Sequence, residues 1–117
     1  MSTFKAEFYK TEKGDKPAKD FILSQDKKMK AKIFGLVDIL EQYGNQLREP
    51  YSKPLVDGIF ELRVKVGSDI SRVLYFFYYE GRIILTNGFV KKSQKTPPSE
   101  INLAKKYKKD FIERNGK

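Results

Sequence analysis

The residues of this chain that could do chemistry are cations, placed in two strand-like segments and in the loop that follows the last one. Arg63 and Arg72 lie in neighbouring segments, and Lys91, Lys92 and Lys95 surround the loop. The sequence has no histidine and no cysteine, which removes the commonest general base, the thiolate nucleophile and thiolate metal sites. Clustered cations of this kind are typical of a site that binds phosphate, because a guanidinium group pairs bidentately with phosphate oxygens.

The charge balance favours a polyanionic partner. The chain has 117 residues, with 24 Lys and Arg against 15 Asp and Glu, and a net charge of +9. From Gly88 onward there are nine basic and three acidic residues, so most of the excess lies in the last quarter of the sequence. Such an excess predicts nucleic acid or the ribosome first and an acidic membrane second. A lysine-rich solvated surface is the alternative interpretation.

Composition predicts one folded domain spanning residues 1–117. The hydrophobic content is 39% and the aromatic content 14%, whereas disordered chains are poor in aromatic residues. No apolar run approaches the roughly 20 residues that span a bilayer, and the first residues show no apolar signal segment. We therefore expect a cytoplasmic protein without a membrane partner and without a cofactor or bound metal.

The periodicity of apolar residues predicts an α+β fold in the order strand, helix, helix, three antiparallel strands, helix. We expect the helices to cover one face of a curved sheet. The predicted elements are a strand at Thr3–Tyr9, helices at Pro17–Ser24 and between Asp26 and Gly44, strands at Ile59–Val66, Ile70–Tyr79 and Arg82–Phe89, and a helix at Pro98–Arg114.

The alternation within the strands predicts one apolar face and one charged face. A four-residue loop at Gly67–Ile70 would place Val64 opposite Val73 and Lys65 opposite Arg72, and the next hairpin would place Arg72 opposite Phe89. The predicted charged face carries Glu61, Arg63, Lys65, Arg72, Phe89 and Lys91, with Lys92 and Lys95 at its rim. An apolar strip continues this face and needs cover, from the last helix or from a partner protein: Leu74, Phe76, Tyr78, Ile83 and Leu85.

Two segments resemble a known family. GIFELRVKVGSDISRVLYFF and IILTNGFVKKSQKTPPSEINLA resemble the RelE/ParE toxin superfamily, and specifically its phage-derived HigB-like branch. The resemblance covers about Lys53 to Lys109 and rests on several short motifs at recognisable spacing: Glu61-Leu62-Arg63, Arg72-Val73 with Tyr75-Phe76, Gly88-Phe89 with Lys91-Lys92, Lys95-Thr96-Pro97, and Glu100-Ile101 with Ala104.

The resemblance implies the toxin of a type II toxin–antitoxin system. Many members of this kind are metal-independent endoribonucleases, or mRNA interferases, that inhibit translation by cutting mRNA in the decoding site of the small ribosomal subunit. The reaction is attack of a ribose 2′-OH on the adjacent phosphate. The usual companion of the HigB-like branch is a helix-turn-helix (HigA-like) antitoxin encoded beside the toxin, and we expect it to cover part of the apolar strip or the first two helices.

The resemblance places phosphate-binding cations at Arg63, Arg72 and Lys91 or Lys92. Glu61 is the only carboxylate on the predicted charged face and suits an orienting role better than that of a base. A lysine crowded by other cations, either Lys91, Lys92 or Lys65, is the candidate base or acid, because neighbouring positive charge favours the neutral amine. We predict that Phe89 stacks on a base, and that Lys65, Lys95, Lys105 and Lys106 contact RNA.

Two alternatives remain open from the sequence. The ParE-like branch of the superfamily inhibits DNA gyrase, which would depend on the last helix and the apolar strip instead of the cations. A phage-derived copy could also be a nontoxic nucleic-acid-binding relic. Toxicity of the protein and its dependence on Arg72 separate the three functions.

Overall fold

A computed structural model describes residues 3–92 and 95–116 of the chain, and these form one five-stranded sheet with three helices. The strands are β1 (Lys5–Phe8), β2 (Ser52–Pro54), β3 (Phe60–Val66), β4 (Asp69–Tyr78) and β5 (Arg82–Val90). The helices are α1 (Pro17–Leu23), α2 (Lys27–Tyr43) and α3 (Pro98–Arg114). This confirms the predicted α+β fold and its order of elements, and β2 is an added short strand that the sequence pattern did not indicate.

Local sequence signals explain where the helices begin. Pro17 and Pro98 stand in the first helical positions of α1 and α3, where a missing N–H costs nothing because that group has no partner within the helix. Asp26 caps α2, since its carboxylate accepts a hydrogen bond of 2.8 Å from the Met29 N–H.

The sheet order is β1-β5-β4-β3-β2. β1 runs parallel to β5, and all other neighbours are antiparallel. The short edge strand β2 pairs with β3 from Phe60 to Leu62, so the second half of β3 extends beyond it. That projecting half carries Arg63 and Lys65, and it is the part of the sheet that can border a cavity.

Helices cover both faces of the sheet, and the expectation of helices on one face is wrong. The first core lies under α1 and α2 and contains Leu62, Val64 and Tyr75. The second core lies under α3, where Ala104 and Phe111 pack with the apolar strip residues Leu74 and Phe76, and with Ile84. The last helix, rather than a partner, therefore buries these strip residues.

The β3–β4 register differs from the prediction by two residues. A two-residue turn at Gly67-Ser68 replaces the predicted four-residue loop, so Val64 faces Ser71, Lys65 faces Ile70, and Arg63 faces Arg72. Because side chains alternate with a period of two, this shift preserves both faces while changing every cross-strand neighbour. The predicted placement of Lys65 opposite Arg72 is wrong, and a second arginine takes that place.

A β-bulge changes the faces of β5. Leu74 pairs with Asn87 while Tyr75 pairs with Leu85, so Thr86 is an extra residue, and its hydroxyl donates to the Leu74 carbonyl. The predicted pair of Arg72 and Phe89 is present on one side of the bulge. On the other side, Ile83 and Leu85 belong to the first core, which corrects their placement with the strip on the charged face.

The tip of the β4–β5 hairpin should be sensitive to substitution at Gly81. Its φ is +72°, and a Cβ there would lie 2.1 Å from the Thr3 carbonyl oxygen. Gly67 has a similar φ of +61° but open space around its Cβ position. Gly67→Ala should therefore cost about 1–2 kcal/mol from backbone strain alone, and Gly81→Ala about 1–3 kcal/mol more from the clash. Urea unfolding of both proteins measures this, and equal losses would contradict the close approach.

Candidate phosphate-binding site

A buried ion pair forms the base of the site. Arg72 on β4 is 3% exposed and Glu61 on β3 is 2% exposed, and the Arg72 Nη1 donates to Glu61 Oε2. Arg63 lies directly across from Arg72 in the sheet, with its Nε 3.5 Å from the same carboxylate oxygen. One carboxylate therefore holds two guanidinium groups that would otherwise repel each other across neighbouring strands.

The rest of the Glu61 carboxylate is also engaged. Its Oε1 accepts a hydrogen bond from the hydroxyl of Thr96, which lies in the segment just before α3. An ionised carboxylate has no donor, and each of its oxygens here receives one. This arrangement suits Glu61 to orienting Arg72 and Arg63, and it leaves little room for a role as a proton acceptor.

One hydrogen-bond donor of Arg72 has no partner. Within the part of the chain that the structure describes, its Nε is a buried side-chain nitrogen without a hydrogen-bond partner. Burial lowers the pKa of Arg72, Glu61 raises it and Arg63 lowers it, but arginine remains charged in proteins. A buried, charged N–H with no acceptor is costly, so this position favours an anionic oxygen of a ligand.

Lys91 completes the cluster of cations. It follows β5, and its backbone N–H donates to the Ile70 carbonyl at 2.9 Å, which holds the residue beside the beginning of β4. Partial desolvation lowers the pKa of the Lys91 amine, and the charges of Arg72 and Arg63 lower it further. The neutral amine of Lys91 therefore forms at a lower pH than that of an ordinary lysine.

These cations border an open cavity of about 690 Å³. Its lining combines basic residues with a larger number of apolar and aromatic ones. The basic lining residues are Arg63, Lys65, Arg72, Lys91 and Lys32, and the other lining residues are Ala31, Gly35, Leu36, Ile39, Pro50, Tyr51, Val64 and Ile70. The cavity thus joins the end of the charged face to α2 and to the segment before β2.

The remaining predicted site residues have varied positions. Lys92 and Lys95 are exposed on either side of the two residues that the structure leaves undescribed. Lys105 pairs with Asp57, with 3.1 Å between Nζ and Oδ2, and Lys106 is exposed on α3. Phe89 is 9% exposed within the second core, so stacking on a base would require its ring to leave that core.

Sequence reasoning missed Thr96, Tyr51 and the wall supplied by α2. The sequence motif includes Thr96 but indicates no role for it, and in the structure its hydroxyl donates to the Glu61 carboxylate. Tyr51 lies between Pro50 and Pro54, and an aromatic residue in such an irregular connection was the signal available. Across residues 3–92 and 95–116, no group of three His, Cys, Asp or Glu side chains is arranged to hold a metal ion.

The buried ion pair of Arg72 with Glu61 should contribute more to stability than the exposed pair of Arg63 with Glu49. Glu61→Leu leaves Arg72 buried without a counter-charge, which should cost about 3–5 kcal/mol. Glu49→Leu is the matched control, since Glu49 is 63% exposed and lies 3.6 Å from Arg63 Nη1; its loss should cost at most about 1 kcal/mol. Chemical denaturation gives both values, and similar losses would contradict the central position of Glu61.

Comparison with known proteins identifies the family. The family model described as "Phage derived protein Gp49-like" matches residues 20–109, which include all four members of the cluster formed by Glu61, Arg63, Arg72 and Lys91. The chain belongs to the Gp49-like family. No curated protein matches this Gp49-like chain.

A solved structure shares the fold of the Gp49-like chain. It is the crystal structure of the archaeal RelE-RelB complex from Pyrococcus horikoshii OT3, at a TM-score of 0.50 and 17% sequence identity. The match covers 80% of this chain and 99% of the other. The family and the fold together confirm the resemblance to the RelE-like toxin superfamily, and they support a toxin of a toxin–antitoxin system as the kind of protein.

No helix within the described ranges has the length and apolar character needed to cross a bilayer.

Proposed function

We propose that this protein is a toxin that inhibits translation by cutting mRNA on the ribosome. The observation that carries the proposal is the Arg72 guanidinium, which is buried, paired with Glu61 and left with an unpartnered Nε–H, in a residue that lines an open cavity together with Arg63 and Lys91. Three positive groups around one space suit a phosphate diester whose negative charge increases during reaction. The family membership and the RelE-like fold support the same function.

The reaction needs three contributions. The 2′-oxygen of one nucleotide forms a bond to the adjacent phosphorus while the bond from phosphorus to the 5′-oxygen breaks. A base removes the 2′-OH proton, cations stabilise the phosphorane-like charge, and an acid protonates the leaving 5′-oxygen. The products are a 2′,3′-cyclic phosphate and a 5′-hydroxyl, and the step requires no metal.

Lys91 is the residue that we assign to the base. Desolvation and the neighbouring arginines lower its pKa, which makes a neutral amine accessible. Arg72 and Arg63 hold the phosphate, and Glu61 fixes both guanidinium groups. Lys92 and Lys65 are the alternatives for proton transfer, and each is exposed to solvent.

Ribosome dependence follows from alignment of the substrate. In-line attack by the 2′-OH needs a particular ribose conformation, and positioning of this kind can account for much of a rate enhancement. A small cationic site binds phosphate but has few groups to fix the sugar. We therefore expect weak cleavage of free RNA and strong cleavage of mRNA held in the decoding site.

An antitoxin is the second partner that we propose, with a helix-turn-helix protein as the expected type. The strip residues Leu74 and Phe76 are buried under α3, so they are not available to it unless α3 moves. The first two helices are available, because Leu23 on α1 and Phe34, Ile39 and Tyr43 on α2 are exposed. An interface with α1 and α2 fits the apolar centre that stable protein–protein interfaces have.

Induction of the protein in cells, with and without its antitoxin, tests the function. Growth arrest accompanied by new mRNA ends within translated codons supports the proposal. Growth arrest without new ends, retained by an Arg72 variant, would instead favour inhibition of gyrase. Unimpaired growth would identify a nontoxic relic.

A further inference from the structure

The two walls of the cavity differ in chemistry. Arg63, Arg72 and Lys91 supply the charge needed for phosphate, but they use one side of the 690 Å³ volume. The apolar part of the lining comes mainly from α2, which also contributes Lys32, together with Pro50 and Tyr51. A volume of this size lies in the range of small-ligand sites, about 300–1,000 Å³. Phosphate alone would leave the apolar half without an occupant.

Tyr51 is held by its backbone while its ring remains accessible. Its N–H donates to the Arg48 carbonyl at 3.0 Å, and its carbonyl accepts from the Arg63 N–H at 2.8 Å. The side chain is nevertheless 50% exposed at the cavity. Because the backbone that carries the ring is already ordered, stacking of a planar group on it costs only the rotamer entropy of the Tyr51 side chain.

Space for a planar group exists on the α2 side. Gly35 lines the cavity, and a Cβ built there meets no atom within 4 Å. Every larger residue at this helical position would project into that space. The absence of a side chain at Gly35 therefore leaves this part of the cavity open.

We propose that the apolar half of the cavity is a nucleobase subsite, with Tyr51 as its stacking platform. The inference rests on the proposed function, because the phosphate at Arg72 and the base at Tyr51 belong to the same RNA strand. Single-stranded RNA joins a planar apolar face to an anion within one nucleotide, which matches the combination of basic and apolar lining residues. Tyr51 acts here as a binding residue and takes no part in proton transfer.

A second cavity adjoins the first and offers room for a further nucleotide. It has a volume of about 460 Å³, shares Ile39 and Tyr51 with the first, and continues to Tyr43, which is 55% exposed. The next unstacked base would therefore lie along the C-terminal half of α2.

The test uses the full chain and a short RNA that carries 2-aminopurine, a base whose fluorescence falls on stacking. The same RNA with an abasic site at that position is the second probe. Tyr51→Ala should weaken binding of the base-containing RNA about 5- to 150-fold, the range that base–aromatic stacking contributes. Tyr51→Phe keeps the ring and should retain the quenching. Tyr79→Ala, at an exposed tyrosine outside both cavities, is the matched control.

Gly35→Leu provides an independent variant. It narrows the cavity without replacing a charged residue and substitutes a better helix former for glycine, so its thermal stability should not fall. It should weaken binding of the base-containing RNA by at least the factor seen for Tyr51→Ala, while binding of the abasic RNA changes less.

The outcomes separate this inference from the function on which it rests. Equal affinity for the base-containing and abasic RNA, with Arg72→Lys weakening both, would overturn the base subsite and leave phosphate binding standing. Binding that is insensitive to Arg72→Lys would count against the proposed function itself. If Tyr51→Ala and Gly35→Leu weaken binding of the antitoxin and not of RNA, the apolar wall is a protein-binding surface and the inference is wrong.

Discussion

Arg72→Lys should reduce cleavage of ribosome-bound mRNA by about 100- to 1,000-fold, the loss that follows removal of one positioned donor to a developing oxyanion. A lysine at this position can still pair with Glu61 through its amine. Its ammonium cannot pair bidentately with a phosphate, as the planar guanidinium of arginine can. The measurement is the single-turnover rate of cleavage on programmed ribosomes, with the amount of folded protein matched by circular dichroism.

At Arg72, substitution by lysine separates activity from stability better than substitution by alanine does. Arg72 is 3% exposed and is the main counter-charge of the buried Glu61, so Arg72→Ala would leave a buried carboxylate with weaker pairing and would lower stability as well as activity. Arg114→Lys serves as the control, because Arg114 is exposed, is paired with a carboxylate (Asp110) as Arg72 is, and lines neither cavity. A folded Arg72→Lys protein with full activity would remove Arg72 from the reaction.

Lys91→Met should lower cleavage by about 100- to 10,000-fold, the usual contribution of a general base or acid. It should also change the pH profile. Desolvation, Arg72 and Arg63 lower the pKa of Lys91, so the neutral amine forms below the ordinary lysine value of about 10.4. If Lys91 is the base, the rate of the unmodified protein rises with pH through that lowered pKa and then levels off. The rising limb should be absent in Lys91→Met.

Two further variants test which lysine causes the rise of the rate with pH. Lys28→Met removes the same charge from an exposed position at the start of α2, outside the cavity, and should keep the rising limb. Lys92→Met tests the neighbouring lysine; loss of the limb there and not in Lys91→Met would move the role to Lys92. A rate that falls with pH through the same range would identify Lys91 as the acid.

Local sequence signals were sufficient for most of the elements. The predicted last helix agrees with α3 at both ends, and the Asp26 cap and Gly44 correctly bounded α2, because capping chemistry is contained in a few neighbouring residues. Strand alternation likewise identified the faces of β3 and β4. The parallel pairing of β1 with β5 and the added strand β2 depend on distant segments, and no short pattern specifies them.

The incorrect predictions about the site also concern contacts that no short pattern specifies. Turn length sets strand register, and the glycine at 67 is compatible with both a two-residue turn and a longer loop, so the neighbour of Arg72 was predicted as Lys65 when it is Arg63. Strand alternation nevertheless placed Glu61, Arg63 and Arg72 on one face. It could not place Thr96 against Glu61, or Tyr51 and Gly35 at the cavity, since these contacts depend on the packing of separate elements.

Cleavage of a defined mRNA by the purified protein on purified ribosomes tests the central claim most directly. The transcript should be cut within the codon in the decoding site, leaving a 2′,3′-cyclic phosphate and a 5′-hydroxyl, at a rate unchanged by a metal chelator that leaves the ribosomes intact. Free transcript should be cut far more slowly. Translation that stops while the mRNA stays intact, or product ends that carry a 5′-phosphate, would contradict an arginine- and lysine-based attack by the 2′-OH.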